Sequence, residues 1–229
     1  MNSDYVQPKW KKTMNYDLKG EYKNKLVFTN NFPVPDLNEL NTLDKNTKLK
    51  MMEIGCQEGR TSIHLLKNYL LHPESKMYCL DIWLSDKKHK HNAGKQPMER
   101  NFDHNVKVSG FENKIIKMKG PSWKTLRSLN NDVEFESFDF IYVDGWHGAN
   151  GVIEDAILSW KLLKVGGIIC FDDYNWGSRF KPERRPKLAI DSFTRIFGPF
   201  LKEIPSNKKS FKKIISNDEE NNHLVNFYQ

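Results

Sequence analysis

The sequence predicts an α/β protein built on a doubly wound, mostly parallel sheet. Three observations lead there. From residue 49 onward, short apolar runs alternate with amphipathic helical segments, the pattern of a parallel sheet with helices on both faces. The apolar runs are nearly continuous rather than alternating, as burial on both faces requires. Five acids, Glu53, Asp81, Asp144, Asp172 and Asp173, stand at the carboxyl ends of those runs, the edge where open α/β sheets bind ligands.

Residues 1–47 read as an irregular leader and residues 48–229 as the folded domain. Phe32-Pro33-Val34-Pro35 breaks the leader, with a short helix expected over Asp36–Leu43. Leu49–Gly55 is the first strand. Ile63, Leu65, Leu66, Tyr69 and Leu70 give the helix Thr61–Leu71 its apolar face. Lys76–Asp81 is the second strand, followed by a polar insertion over Ser85–Pro97. Met98–Ser109 reads as a helix ending at Gly110. A strand over Lys114–Met118, a helix over Trp123–Leu129 and a strand over Phe138–Asp144 come next. The helix Asn150–Leu163 turns Val152, Ile153, Ala156, Ile157, Trp160 and Leu163 inward, and Val165-Gly166-Gly167 is expected to stop it. Gly167–Asp173 is the fifth strand and Lys187–Phe197 the last helix. Lys212–Ile215 and Leu224–Tyr228 are expected to close the chain as a hairpin.

Composition narrows the function classes. The 229 residues include 36 Lys and Arg against 29 Asp and Glu, a net charge of +7. Much of the excess lies in runs such as Lys87-Lys88-His89-Lys90-His91 and Lys208-Lys209 with Lys212-Lys213, which read as solvated surface ahead of a nucleic-acid tract. Aromatics at 12% argue against disorder. No apolar run approaches a membrane span and the N-terminus lacks the apolar core of a signal peptide, so a cytoplasmic location is expected. Cys56, Cys79 and Cys170 lack metal-site spacing and read as buried free thiols in a reducing compartment.

Two constellations carry chemistry. In Glu53-x-Gly55-x-x-x-Gly59 an acid and two glycines occupy a strand-to-helix turn. This is neither a dinucleotide fingerprint nor a P-loop; it suits a nucleoside cofactor without a pyrophosphate. Asp81, at the next strand end, is placed to accept both hydroxyls of a ribose. The second constellation is Asp144-Gly145-Trp146-His147 with Asp172-Asp173. Asp144 and Asp172 lie 28 residues apart, joined through a helix and a turn that return to the same edge. Three converging carboxylates repel unless a cation or shared protons intervene, and oxygen ligands favour Mg²⁺, Ca²⁺ or Mn²⁺. Trp83 and Trp146 flank the site in sequence, as stacking rings or as packing. Arg179, Lys181, Arg184 and Arg185, just beyond the fifth strand, read either as a basic lid over an acidic acceptor or as a solvated loop.

On these residues the chain resembles the class I S-adenosylmethionine-dependent methyltransferases, over roughly residues 48–229. The resemblance implies a Rossmann-like sheet of seven strands with an antiparallel terminal hairpin. It implies S-adenosylmethionine as cofactor, contacted by Glu53, Gly55, Gly59 and Asp81, with Trp83 beside them and Ser122 of Gly120-Pro121-Ser122 at the adenine edge. Pro121, and the absence of an acid there, depart from the commonest form of the family. The acid cluster is similar to that of metal-dependent O-methyltransferases of the catechol and macrolide-sugar types. That likeness implies Mg²⁺ or a similar ion on Asp144, Asp172 and Asp173, with Asp144 and His147 catalytic and His147 as general base. Asp173, where catechol enzymes usually carry Asn, and His147 favour the sugar branch. The expected reaction is methylation of a sugar hydroxyl, free, nucleotide-linked or on a glycan. A catechol-like phenol, an RNA, or a non-catalytic cofactor-binding role are the other readings. The expected partner is a small-molecule or glycan acceptor, with neither membrane nor nucleic acid; a homo-oligomer is left open.

Overall fold

The computed structural model describes residues 5–6, 23–29, 32–83, 98–131 and 134–221. The insertion predicted over Ser85–Pro97 and the strand predicted over Leu224–Tyr228 lie outside them.

Seven strands form the sheet: β3 (Lys50–Ile54), β4 (Lys76–Asp81), β5 (Ile115–Lys119), β6 (Phe138–Val143), β7 (Leu163–Phe171), β8 (Leu201–Ile204) and β9 (Lys209–Lys213). Their order is β5-β4-β3-β6-β7-β9-β8. The first five are parallel, and β9 runs antiparallel to both β7 and β8. Two short strands outside the sheet, β1 (Tyr5–Val6) and β2 (Leu26–Val27), pair with each other. The helices are α1 (Arg60–Asn68), α2 (Met98–Ser109), α3 (Ser122–Asn131), α4 (Ala149–Leu162) and α5 (Pro186–Phe197).

Successive strand residues point to opposite faces, and the core divides accordingly. Met51, Cys79, Phe140, Tyr142, Ile168 and Cys170 pack under α1 and α2. Met52, Leu80, Ile141, Val143, Ile169 and Phe171 pack under α3, α4 and α5, around Trp160 and Phe193. All three cysteines are buried and free. The order of winding reverses between β3 and β6, because the chain adds β4 and β5 outward on one side and then returns to the other side of β3. Such a switch point opens a crevice beyond the carboxyl ends of the two strands. The ladder continues past those ends: Gly55 N–H donates to Leu80 O at 2.8 Å, and Asp144 N–H to Ile54 O at 2.9 Å.

Four expectations change. Gly166 and Gly167 lie inside β7, which begins directly after α4. They sit beside a register shift in the β6–β7 pairing, and Gly166 takes φ +81°, so they serve a strand irregularity and not a helix end. The two edges of β9 pair with β7 and β8, and β8, with the half-exposed sequence Leu-Lys-Glu-Ile, carries little strand signal. The leader contributes to the core through Leu37 and Leu40, and the helix expected over Asp36–Leu43 is a 3₁₀ turn over Asn38–Thr42. Lys213 is not solvated. It is fully buried, with Nζ 3.0 Å from Glu136 Oε1 and 2.7 Å from Asn217 Oδ1.

Among the described residues, Trp160 is the largest fully buried side chain. It packs against Phe193 and Phe197 at 6.2 and 5.1 Å between ring centroids, and its indole N–H donates to Glu220 Oε2 at 2.6 Å. Trp160→Ala leaves a cavity and removes the indole donor from Glu220, so it should cost about 3–5 kcal/mol, measured by urea unfolding. A loss under about 1 kcal/mol, the scale of surface changes, would contradict this account of the core.

Candidate active site

At the end of β3, Glu53 is buried and accepts a hydrogen bond from Ser62 Oγ. Burial pushes its pKa up to about 7, against the Ser62 bond and with help from Asp81. Gly55 follows at φ +95°, and a Cβ there would lie 2.0 Å from the carbonyl oxygen of Asp144. Only glycine lets the loops after β3 and β6 touch at this point. Asp81 fastens the same turn: its Oδ2 accepts from Gln57 N–H and its Oδ1 from Trp83 N–H, each at 2.8 Å. A carboxylate has about four acceptor positions, so Asp81 keeps room for a further donor such as a ribose hydroxyl. Burial nevertheless raises the Asp81 pKa, with the backbone amides of Trp83, Gln57 and Ile82 opposing it.

Trp83 is placed differently from a ring open for stacking. It is 4% exposed, 4.7 Å from Phe102 between centroids, and its indole N–H donates to Gln57 O at 2.7 Å. Its packing supports the turn from behind. Trp146, by contrast, is 70% exposed. Gly59 precedes α1, beneath the Phe102 ring. Ser122 opens α3 and hydrogen-bonds Asp155, a buried acid of α4 whose pKa burial lifts to about 6 against that bond. Glu58 was not foreseen from the sequence. It accepts from Thr29 N–H at 2.6 Å and from Asn101 Nδ2 at 2.8 Å, tying the turn to the leader and to α2.

Across the switch point, Asp144, His147 and Asp173 bring one ligand atom each within 4.8 Å of one another. His147 Nε2 lies 2.6 Å from Asp173 Oδ2, and the imidazole stacks on Trp176 at 4.5 Å and 22°. Burial holds the Asp144 carboxyl well above its ordinary range; Glu53 and Asp173 add to this and Lys208 opposes it. Two carboxylates and an imidazole form a mixed donor set, the carboxylates suited to a hard divalent ion and the imidazole to a borderline one. Asp172 stands apart from this trio: its carboxylate is ion-paired with Lys208. The two neighbouring acids diverge because Asp173 adopts φ +56°, a left-handed conformation that Asp tolerates better than most residues.

Asp173 also borders a cavity of about 700 Å³, walled by Tyr174, Asn175 and Trp176 on one side and by residues 203–209 on the other. Asn207 Nδ2 donates to Asp36 Oδ2 at 2.9 Å and Ser210 Oγ to Glu39 Oε1 at 2.6 Å, so the β8–β9 turn is pinned to the leader. Of the basic residues expected to form a lid, Arg179, Lys181, Arg184 and Arg185, none lines this cavity.

A family model described as a methyltransferase domain matches residues 52–174, more than half of the chain. The chain belongs to this family. It is an S-adenosylmethionine-dependent methyltransferase. An uncharacterised protein of Acanthamoeba polyphaga mimivirus is 27% identical over 176 residues, 73% of this chain and 71% of its own. Caffeoyl-CoA O-methyltransferase 1 of Eucalyptus globulus is 30% identical over 105 residues, 43% of this chain and 39% of its own. Among solved structures, the O-methyltransferase from Bacillus cereus in complex with SAH superposes with a TM-score of 0.53 at 18% identity, over 71% of each chain, a likeness of fold. Among the described residues, no helix is long and apolar enough to cross a membrane.

Two outcomes are expected. Gly55→Ala should abolish cofactor binding in calorimetry and lower stability by about 2 kcal/mol or more, since strain and a backbone clash coincide; retained binding would contradict the close approach. Glu53 keeps its proton to about pH 7 when folded but loses it near 4.5 when unfolded. It therefore costs stability as pH rises from about 4.5 to 7, and the loss is complete above that. Glu53→Gln should flatten this decline in unfolding measurements at pH 5 and pH 8, whereas an unchanged slope would show that Glu53 titrates normally.

Proposed function

We propose that this methyltransferase is an O-methyltransferase acting on a sugar hydroxyl, free, nucleotide-linked or on a glycan, with a divalent cation such as Mg²⁺ assisting. The observation that supports it is His147, held at 2.6 Å by Asp173 and stacked on Trp176 beside the cavity. An alcohol holds its proton far above neutral pH, so the acceptor needs a positioned base, and histidine suits that task. With Nε2–H donated to Asp173, Nδ1 is the nitrogen that takes the hydroxyl proton, and Asp173 then steadies the imidazolium. S-adenosylmethionine supplies an electrophilic methyl group on its sulfonium. On the cofactor side, Asp81 accepts from the ribose, Glu53 and the turn from Gly55 to Gly59 surround the amino-acid part, and Ser122 lies toward the adenine edge. Asp144 and Asp173, with His147 close by, would hold a divalent ion that stabilises negative charge on the acceptor oxygen. Asn175 gives the cavity a hydrogen-bonding side chain for a polyhydroxy acceptor, and Trp176 and Tyr174 give it ring faces.

A second reading, a catechol-like phenol, is favoured by the Eucalyptus relative and by those same rings. The spread of the +7 charge supports only weak, salt-sensitive association with RNA.

The test is methyl transfer from labelled cofactor to a panel of sugars, nucleotide sugars, catechols and short RNAs, read by mass spectrometry with and without EDTA. A methylated sugar, lost on chelation, is the expected product. His147→Ala should slow turnover by ~10²–10⁴-fold, the usual worth of a positioned base, with cofactor affinity unchanged in calorimetry. Full turnover in EDTA would remove the ion from the mechanism, and transfer to catechols alone would establish the second reading.

A further inference from the structure

The turn from Gly55 to Gly59 is held in a conformation it would not keep alone. Gly55, Gln57 and Gly59 take φ +95°, +47° and +80°. A residue with a side chain persists in the left-handed region only where its surroundings over-determine it. Gln57 is fixed by Asp81 and by the Trp83 indole. The next residue, Glu58, is fixed by other partners, in the leader and in α2. Its carboxylate accepts from Thr29 N–H at 2.6 Å and from Asn101 Nδ2 at 2.8 Å, and its carbonyl from Asn105 Nδ2 at 2.9 Å. The same Asn105 amide pairs with Val27 in both directions, accepting from its N–H and donating to its carbonyl, each at 2.7 Å. One side chain thus joins the leader to the turn. Glu58, Asn101, Asn105 and Val27 are all buried. The apolar part of the contact is small: Leu26, Phe28 and Ile63 form a cluster of their own, apart from the two that fill the faces of the sheet. The buried polar bonds therefore decide where the leader sits. Val27 and Thr29 lie outside the residues that match the family model.

We propose that residues 26–29 of the leader are part of the cofactor site: Glu58 and Asn105 tie their docking to the shape of the Gly55–Gly59 turn, so the docked leader raises cofactor affinity and the bound cofactor holds the leader down. If the leader departs, Glu58 loses Thr29 and Asn105 loses Val27. The turn then keeps one of its two clamps and relaxes away from the left-handed angles that present it to the cofactor. Such coupling is reciprocal: the factor by which docking tightens the cofactor is the factor by which the cofactor tightens docking. Glu58 and Asn105 act through the turn and are positioning residues. The inference rests on the Gly55–Gly59 turn as the seat of S-adenosylmethionine, but on neither the acceptor nor an ion.

The experiment uses the full chain and S-adenosylhomocysteine, the cofactor without its methyl group. Amide exchange at Val27 and Thr29 is followed by NMR with and without it in the wild type. Its affinity is measured by calorimetry for the wild type, Glu58→Ala, Glu58→Gln and Asn105→Ala, with circular dichroism to confirm that each is folded. Saturating S-adenosylhomocysteine should slow both amides about tenfold, within the usual range of couplings between sites. That slowing should exceed the slowing in α5, on the other face of the sheet, which reports only the general stabilisation any ligand gives. Glu58→Ala and Asn105→Ala should bind about tenfold more weakly. Glu58→Gln should stay near the wild type. Its amide oxygen still accepts from Thr29, and Asn101, whose Oδ1 has no partner among the described residues, can turn over to accept from its amide nitrogen. Slowing at Val27 and Thr29 no greater than in α5 would overturn the proposal whether or not the variants fold. So would wild-type affinity in folded Glu58→Ala. Gly55→Ala separates the two readings: if it loses S-adenosylhomocysteine while Glu58→Ala retains it, the turn remains the seat of the cofactor and only the coupling falls.

Discussion

Repulsion among carboxylates at one sheet edge is the constraint on which the site depends. Parallel strands end on the same side, so Glu53, Asp81, Asp144, Asp172 and Asp173 are brought together whether or not a ligand is present. Each is accommodated by a different device. Glu53 holds a proton to about pH 7 beside Ser62. Asp81 is met by two backbone amides. Asp172 has Lys208, and Asp173 has His147. Among the described residues, Asp144 is left without a paired cation of its own, and burial holds its carboxyl well above the ordinary range. The Glu53–Asp81 half of the site is thus balanced by hydrogen bonds and a proton, the Asp172–Asp173 half by a lysine and a histidine.

The two halves are coupled through backbone. Gly55 lies against the Asp144 carbonyl, so the turn that would face the cofactor and the loop that starts the acid cluster share one contact. Methyl transfer needs nucleophile, methyl and sulfur in line at near-attack distance. A rigid junction between the halves supplies that alignment without any hinge.

Most of this was legible in the sequence for a physical reason. Doubly buried strands and amphipathic helices leave strong periodic signatures, and a strand-end acid is visible wherever an apolar run stops. The sheet, the glycine turn, Asp144, His147 and Asp173 could be read that way. What could not be read depended on backbone angles or on contacts distant in the chain. Nothing in Asp172-Asp173 says which acid turns toward His147; that is decided by φ +56° at Asp173. Trp176, three residues further on, gave only the faint signal of an aromatic near an acid pair. β8 carried too few apolar residues to register. Lys208 and Lys213 looked like members of one solvated charge run. One instead faces Asp172 and the other is sealed beneath Trp160, because the antiparallel return of β9 carries both toward the sheet.

The seam between the leader and the β8–β9 turn bears on how such a protein diversifies. Asp36 and Glu39 precede the first strand of the sheet, while Asn207 and Ser210 belong to its last hairpin, and the two pairs are bonded directly. One wall of the cavity, residues 203–209, is therefore fastened to a stretch 171 residues away in the chain, while the methyltransferase motifs lie between them. The set of that wall can drift through matched substitutions in these two stretches. A chimaera that exchanges one end without the other would inherit a wall missing half of its fastenings.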